Sequence, residues 1–238
     1  MHKRRRDALR LLVLAAAAPL AAHGATTHYP TRLAKEALQG DHAALTRLQR
    51  SARSGDAGAQ EALGLVRAHE HQYAKTVYWW KKAAAQGDAA ADYALGLLYD
   101  HGQGVPQSAV KAIYWWGKAV AQGGRPGRDA ALDLASAYYN GQGVPQSYAK
   151  ADYWLKKAAM QGDADAENLL GNAYNMGRGV PQDLKEAIYW WKKAAAQGND
   201  AAEFDLASAY EGGQGVPRST AKANYWLGKA IKAADGRR

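Results

Sequence analysis

A tripeptide, Gly-Val-Pro, returns along this chain with its proline at 106, 145, 181 and 217, at intervals of 39, 36 and 36 residues. A Tyr-Trp pair keeps the same step, with its tryptophan at 79, 115, 154, 190 and 226. Gln-Gly follows seven residues after four of those tryptophans, at Gln86, Gln122, Gln161 and Gln197. The one longer interval comes from three extra residues in the linker Gly123-Gly124-Arg125-Pro126-Gly127-Arg128. Three markers in one register restrict the chain to a repeat array. In such an array each copy closes its apolar face only against its neighbours.

Each copy reads as two helices. In the first full copy Asp88 is an N-cap candidate, and Ala91, Leu95 and Tyr99 share one face at a spacing of four. Gly102 suits a left-handed helix end, Pro106 blocks continuation, and Ser108 is positioned to cap the second helix. Ala112, Trp115 and Ala119 make the second stripe, with the middle tryptophan of each Tyr-Trp-Trp run expected in the core. Gly96, Ala135, Gly171 and Ala207 form a column of small residues where the paired helix must approach closely. The expected fold is all-α, a right-handed α-solenoid superhelix of about six antiparallel helix pairs.

Upstream the pattern decays. Gly64 to Trp79 is four residues shorter than Gly96 to Trp115, and the Gly-x-Gly-Val-Pro loop is missing. Before that copy, Lys3 to Arg6, an apolar run from Leu11 to Ala22 and a small-residue exit at Gly24 make up a secretory signal peptide. The expected organisation is a signal peptide at 1–24, a linker and capping helix pair at 25–55 and a degenerate copy at 56–87. Four full copies then follow at about 88–127, 128–162, 163–198 and 199–238. Export to the periplasm or beyond is the expected destination, with a mature N-terminus near Ala25. Residues 1–24 carry five Lys and Arg and one Asp, so their removal lowers the net charge from +9 to +5. With no cysteine, disulfides, thiolate metal sites and a cysteine nucleophile are excluded.

The run Leu95-Gly96-x-x-Tyr99-x-x-Gly102-x-Gly104-Val105-Pro106, continued by Lys111-Ala112-x-x-Trp115-x-x-Lys118-Ala119 and Gln122-Gly123, resembles the Sel-one-like repeat. That family is a relative of the tetratricopeptide repeat, and the resemblance covers about residues 56 to 234. It implies a helical superhelix acting as a non-catalytic adaptor or scaffold, many relatives being exported by bacteria.

Three chemistries compete with that role. Ser-x-x-Lys at Ser108–Lys111, Ser147–Lys150 and Ser219–Lys222 has the spacing of a β-lactamase-type nucleophile and base. The third copy puts Asp183 and Glu186 in those columns, an exchange that a helix cap tolerates and a nucleophile does not. His69, His71 and His42 lack a fourth ligand, so neither a metal nor any other cofactor is expected. The Tyr-Trp-Trp runs and the lysines at 82, 118, 157, 193 and 229 suggest an envelope-polysaccharide (peptidoglycan) binder, and the lysines weak contact with acidic polymers.

The leading candidate site is the face of the first helix turned away from the core stripe, which in tetratricopeptide-like superhelices lines a concave groove. Its positions are Tyr93, Leu97 and Asp100; Leu132, Ser136 and Tyr139; Asn168, Asn172 and Asn175; and Phe204, Ser208 and Glu211. Asparagine carboxamides both donate and accept, as pairing with an extended peptide requires. The expected partner is a peptide or protein segment, not nucleic acid, bound by a monomer. The alternative reading of these positions is a plain solvated face.

Overall fold

The computed structural model describes residues 28–235. The signal peptide at 1–24, its cut before Ala25 and the closing Arg237 and Arg238 lie outside them. Twelve α-helices and no strand occur among the described residues. They are α1 (His28–Leu38), α2 (His42–Arg53), α3 (Ala57–His69), α4 (Tyr73–Ala84), α5 (Ala89–His101) and α6 (Ala109–Gln122). Then follow α7 (Gly124–Asn140), α8 (Tyr148–Ala159), α9 (Ala164–Met176), α10 (Leu184–Ala196), α11 (Asp200–Gly212) and α12 (Thr220–Asp235). No helix among the described residues is long and apolar enough to cross a membrane.

The described residues form two compact units that divide after Ala130, within α7. In the first, α3 packs on α4, and α5 on α6; in the second, α9 packs on α10, and α11 on α12. Capping sets these hairpins. Asp88, Asp163 and Asn199 accept from the backbone N–H three residues on, at 2.8, 2.9 and 2.9 Å, satisfying donors that a helix start leaves free. Helices α5, α9 and α11 end on left-handed glycines, Gly102, Gly177 and Gly213. The glutamine after each loop proline then ties back: Gln107, Gln146 and Gln182 donate to the carbonyls of Asp100, Tyr139 and Asn175 at 2.7, 2.8 and 2.8 Å.

One leucine per copy fills the centre. Leu63, Leu95, Leu134, Leu170 and Leu206 are all at most 1% exposed. Burying such a side chain contributes about 1.5–3 kcal/mol, and neither helix of a pair can do it alone. The segment from Gly123 to Arg128 differs from its expected linker. After a break at Gly123, the first turn of α7 begins at Gly124 and absorbs Pro126, because a first turn needs no intrahelical N–H.

Candidate functional site

The close approach of paired helices has a specific cause. Trp80, Trp116 and Trp191 are 2–5% exposed, and each lays its indole against the glycine of the facing helix, Gly64, Gly96 or Gly171. A Cβ on any of these glycines would collide with the ring. The third aromatic of the Tyr-Trp-Trp run is therefore the deepest in these copies, not the middle one. Trp79, Trp115, Trp154 and Trp226 are half-buried, and among the middle residues only Trp190 is buried. Where the small column holds alanine, the facing residue is smaller: Ala135 meets Leu155, and Ala207 is matched by Leu227 in the same register.

Lysines at the ends of the second helices are committed to internal ion pairs. Lys118, Lys193 and Lys229 reach the buried carboxylates of Asp92, Glu167 and Glu203, each at 2.9 Å. Each also lies 4.6–5.0 Å over a ring centroid, of Trp115, Trp190 or Trp226. Gln197 donates to the other oxygen of Glu167 at 2.8 Å. These cations answer buried acids, a need that the sequence reading of lysines in weak contact with acidic polymers missed.

The second full copy departs from this plan three times. Ala131 stands where the others carry Asp92, Glu167 and Glu203, so Lys157 has no such acid and sits over Tyr153 instead, 5.2 Å from the centroid. Leu155 replaces the deep tryptophan. Asp152 shares its column with Val77, Ile113, Ile188 and an exposed Asn224; it is 6% exposed, and its Oδ2 has no hydrogen-bond partner. Burial pushes this carboxyl up to about 6 from its ordinary value near 3.8. Asp92, by contrast, is raised by burial but pulled back by Lys118.

These exchanges accompany a cavity of about 360 Å³. Leu132, Ala135, Ser136 and Tyr139 of α7 line one side, and Asp152 and Leu155 of α8 another. Leu169, Asn172 and Met176 of α9 close it, with Arg178 from the following loop. The indole that packs on the facing helix in three other copies is absent here, and Leu155 stands in its register. Arg178 replaces the glutamine found at 103, 142 and 214. It donates to the Tyr139 hydroxyl and lies over the Tyr139 and Tyr148 rings, 5.7 and 5.3 Å from their centroids.

Of the twelve groove positions read from sequence, Leu132, Ser136, Tyr139 and Asn172 meet in this cavity. Asn172 is not wholly free, since its carboxamide oxygen accepts from the Trp191 indole N–H at 2.9 Å. Asn168 is buried and donates to Asp205 at 3.0 Å, while Leu97 belongs to the core at 9% exposure. Tyr93, Asp100 and Asn175 are half-buried. Phe204, Ser208 and Glu211 are exposed. Sequence reasoning overlooked Asp152, Leu155 and Arg178. The clearest signal was at Arg178, which breaks a column of glutamines, whereas Leu155 and Asp152 share their departures with Leu227 and Asn224 of the last copy.

The Ser-x-x-Lys serines are caps: Ser108, Ser147 and Ser219 accept from the backbone N–H of Lys111, Lys150 and Lys222 at 3.3–3.4 Å. His69 and His71 flank the tight turn that replaces the lost loop, where His71 takes a left-handed φ of 57° and contacts the Tyr73 hydroxyl at 3.0 Å. No cluster of three or more His, Asp or Glu placed to hold a metal occurs among the described residues.

The family model of the Sel1 repeat matches residues 59–88, 89–124, 128–163, 164–199 and 200–235. Among solved structures, a protective antigen of uropathogenic Escherichia coli displaying an SLR fold is 28% identical, with a TM-score of 0.76 over 87% of this chain. This chain spans 46% of that antigen's length. A Sel1 repeat protein from Oxalobacter formigenes is also 28% identical, with a TM-score of 0.75 over 84% of this chain and 82% of its own. No protein of curated function matches significantly.

Proposed function

The chain belongs to the Sel1 repeat family, whose members are typically protein-interaction scaffolds and generally non-catalytic, and on that footing we propose that it is an exported adaptor. Its docking point for a peptide or protein segment is the cavity of the second full copy. The observation that carries this reading is convergence: four groove positions from two neighbouring copies line one space with a buried, unpartnered carboxylate. Repeat scaffolds present such surfaces between adjacent copies. The basic head and apolar run of residues 1–24 support export.

The test is a crosslinking pull-down from periplasmic extract with the wild-type chain and with the double variant Ala135→Gly, Leu155→Trp. That variant restores the Gly–Trp pairing of three other copies and fills the cavity. Proteins captured by the wild type and lost by the folded variant support the reading. Equal capture by both contradicts it. Fractionation tests the destination: mature protein beginning near Ala25 outside the cytosol is expected, and cytosolic protein retaining Met1 refutes it.

A second reading rests on the tyrosines that begin the Tyr-Trp pairs within the second helices. In the second unit Tyr153, Tyr189 and Tyr225 are 52–61% exposed, each packed edge-on against its neighbouring tryptophan. Such a row could stack on sugar rings. Co-sedimentation with insoluble peptidoglycan that survives filling the cavity would favour it.

A further inference from the structure

Taking the cavity as the docking point, we propose that it receives a lysine side chain of the bound segment, with the methylenes against Leu132, Leu155 and Leu169 and the ammonium donating to the Asp152 carboxylate.

The inference begins with the way this chain treats buried acids. Asp92, Glu167 and Glu203 are each answered at 2.9 Å by a lysine of the same copy. Asp152 is buried too, at 6% exposure, and Oδ2 has no hydrogen-bond partner. Leaving a buried carboxylate uncompensated is costly, so natural interiors pair it. Here no resident cation serves. Lys157 lies over Tyr153, and Arg178 is held by Tyr139 and Tyr148. Burial alone accounts for the raised carboxyl, with no compensating pull from a basic group.

The shape of the site selects among cations. Oδ2 packs against the backbone of Gly179, where an added Cβ would collide with it, so the loop closes that side, and the Asp152 side chain lines the cavity on the other. Lysine joins a flexible apolar stem to one compact charge, which matches apolar walls over a carboxylate. Arginine would bring five donors to a site with few free acceptors, because the Asn172 oxygen is already taken by Trp191. A volume of about 360 Å³ admits one long side chain and excludes a helix. The Asn172 amide nitrogen and Arg178 supply donors suited to backbone carbonyls of the same segment.

The probe is the peptide acetyl-Gly-Lys-Gly-amide, titrated into the full chain and followed by amide chemical shifts in nuclear magnetic resonance. The same peptide with norleucine for lysine keeps the stem and removes the charge. Shifts centred on residues 152, 155 and 172 are expected, with the norleucine peptide at least tenfold weaker. Asp152→Asn, which preserves shape, should weaken the lysine peptide at least tenfold and leave the norleucine peptide unchanged. Equal binding of the two peptides by the wild type overturns the proposal without need of any variant. Preference for a glutamate peptide overturns it as well, by assigning the site to Arg178. If either occurs while filling the cavity still abolishes partner capture, the docking reading survives and the lysine assignment alone falls.

Discussion

In the copy at 164–199, the buried carboxylate of Glu167 lies between Lys193 and Gln197, and Gly171 lets Trp191 fill the interior. In the copy at 128–163 the corresponding acid is Ala131, the facing pair is Ala135 and Leu155, and the buried carboxylate is Asp152 on the other helix, with one oxygen unpartnered. Both are helical hairpins from one repeat pattern. The first answers its buried acid with a lysine and fills its volume with a ring, while the second leaves a charge and a space. A repeat array can therefore build a recognition point in a copy that drops both the buried acid–lysine pair and the deep tryptophan, with the fold supplied by the neighbours.

The largest expected effect breaks the complete copy. Trp191→Ala should destabilise the chain by about 3–5 kcal/mol in urea unfolding through loss of a buried ring. Gly171→Ala should cost about 1–3 kcal/mol by itself, because its methyl meets the indole. In a Trp191→Leu background, which imitates the second full copy, the same glycine change should become nearly neutral. An additive double-mutant cycle would sever the link between the two columns.

Next come the lysines. Lys193→Met strands the buried Glu167 carboxylate and should cost about 3 kcal/mol, the lower end for such pairs because the lysine is part-exposed. Lys157→Met faces no such acid and should change stability by less than about 0.5 kcal/mol. Equal losses at the two sites would contradict the contrast between the copies.

The pH dependence sharpens it further. Burial raises Asp152 from 3.8 to about 6, so the folded chain holds that proton more tightly than the unfolded one. Its contribution is therefore fully favourable below about pH 4 and is lost as pH climbs through 6. Asp152→Asn should stabilise the chain by about 2 kcal/mol at pH 8, relative to its effect at pH 4. A flat difference between pH 4 and pH 8 would show that Oδ2 is compensated.

The smallest effect is at Arg178. Arg178→Gln restores the residue of the other three loops and should alter stability by less than about 0.5 kcal/mol. Partner affinity should still fall several-fold in calorimetry.

The helices, their caps and the leucine column were legible from the sequence because local spacing and N-cap chemistry determine them: Asp88, Ser108 and Gly102 do what those residue types do in most contexts. The depth order within Tyr-Trp-Trp was not. Successive helix residues point about 100° apart, and which one faces the partner depends on the angle at which the hairpin closes. The sites of Asp152 and Arg178 were open to column comparison, yet their meaning was hidden. An aspartate in a column with Ile113, Ile188 and Asn224 reads as a surface exchange until burial is known. Asn172 taught the reverse: a residue that looked free to bind proved partly occupied by Trp191.

Hydrogen–deuterium exchange of the chain with and without a captured partner tests the central claim most directly. Protection is expected at residues 132–140 and 169–178, which line the cavity, and not at 93–100 in the complete first copy. Protection spread evenly over equivalent positions of all copies, or confined to the exposed tyrosines at 153, 189 and 225, would contradict the claim that the copy at 128–163 is the recognition point.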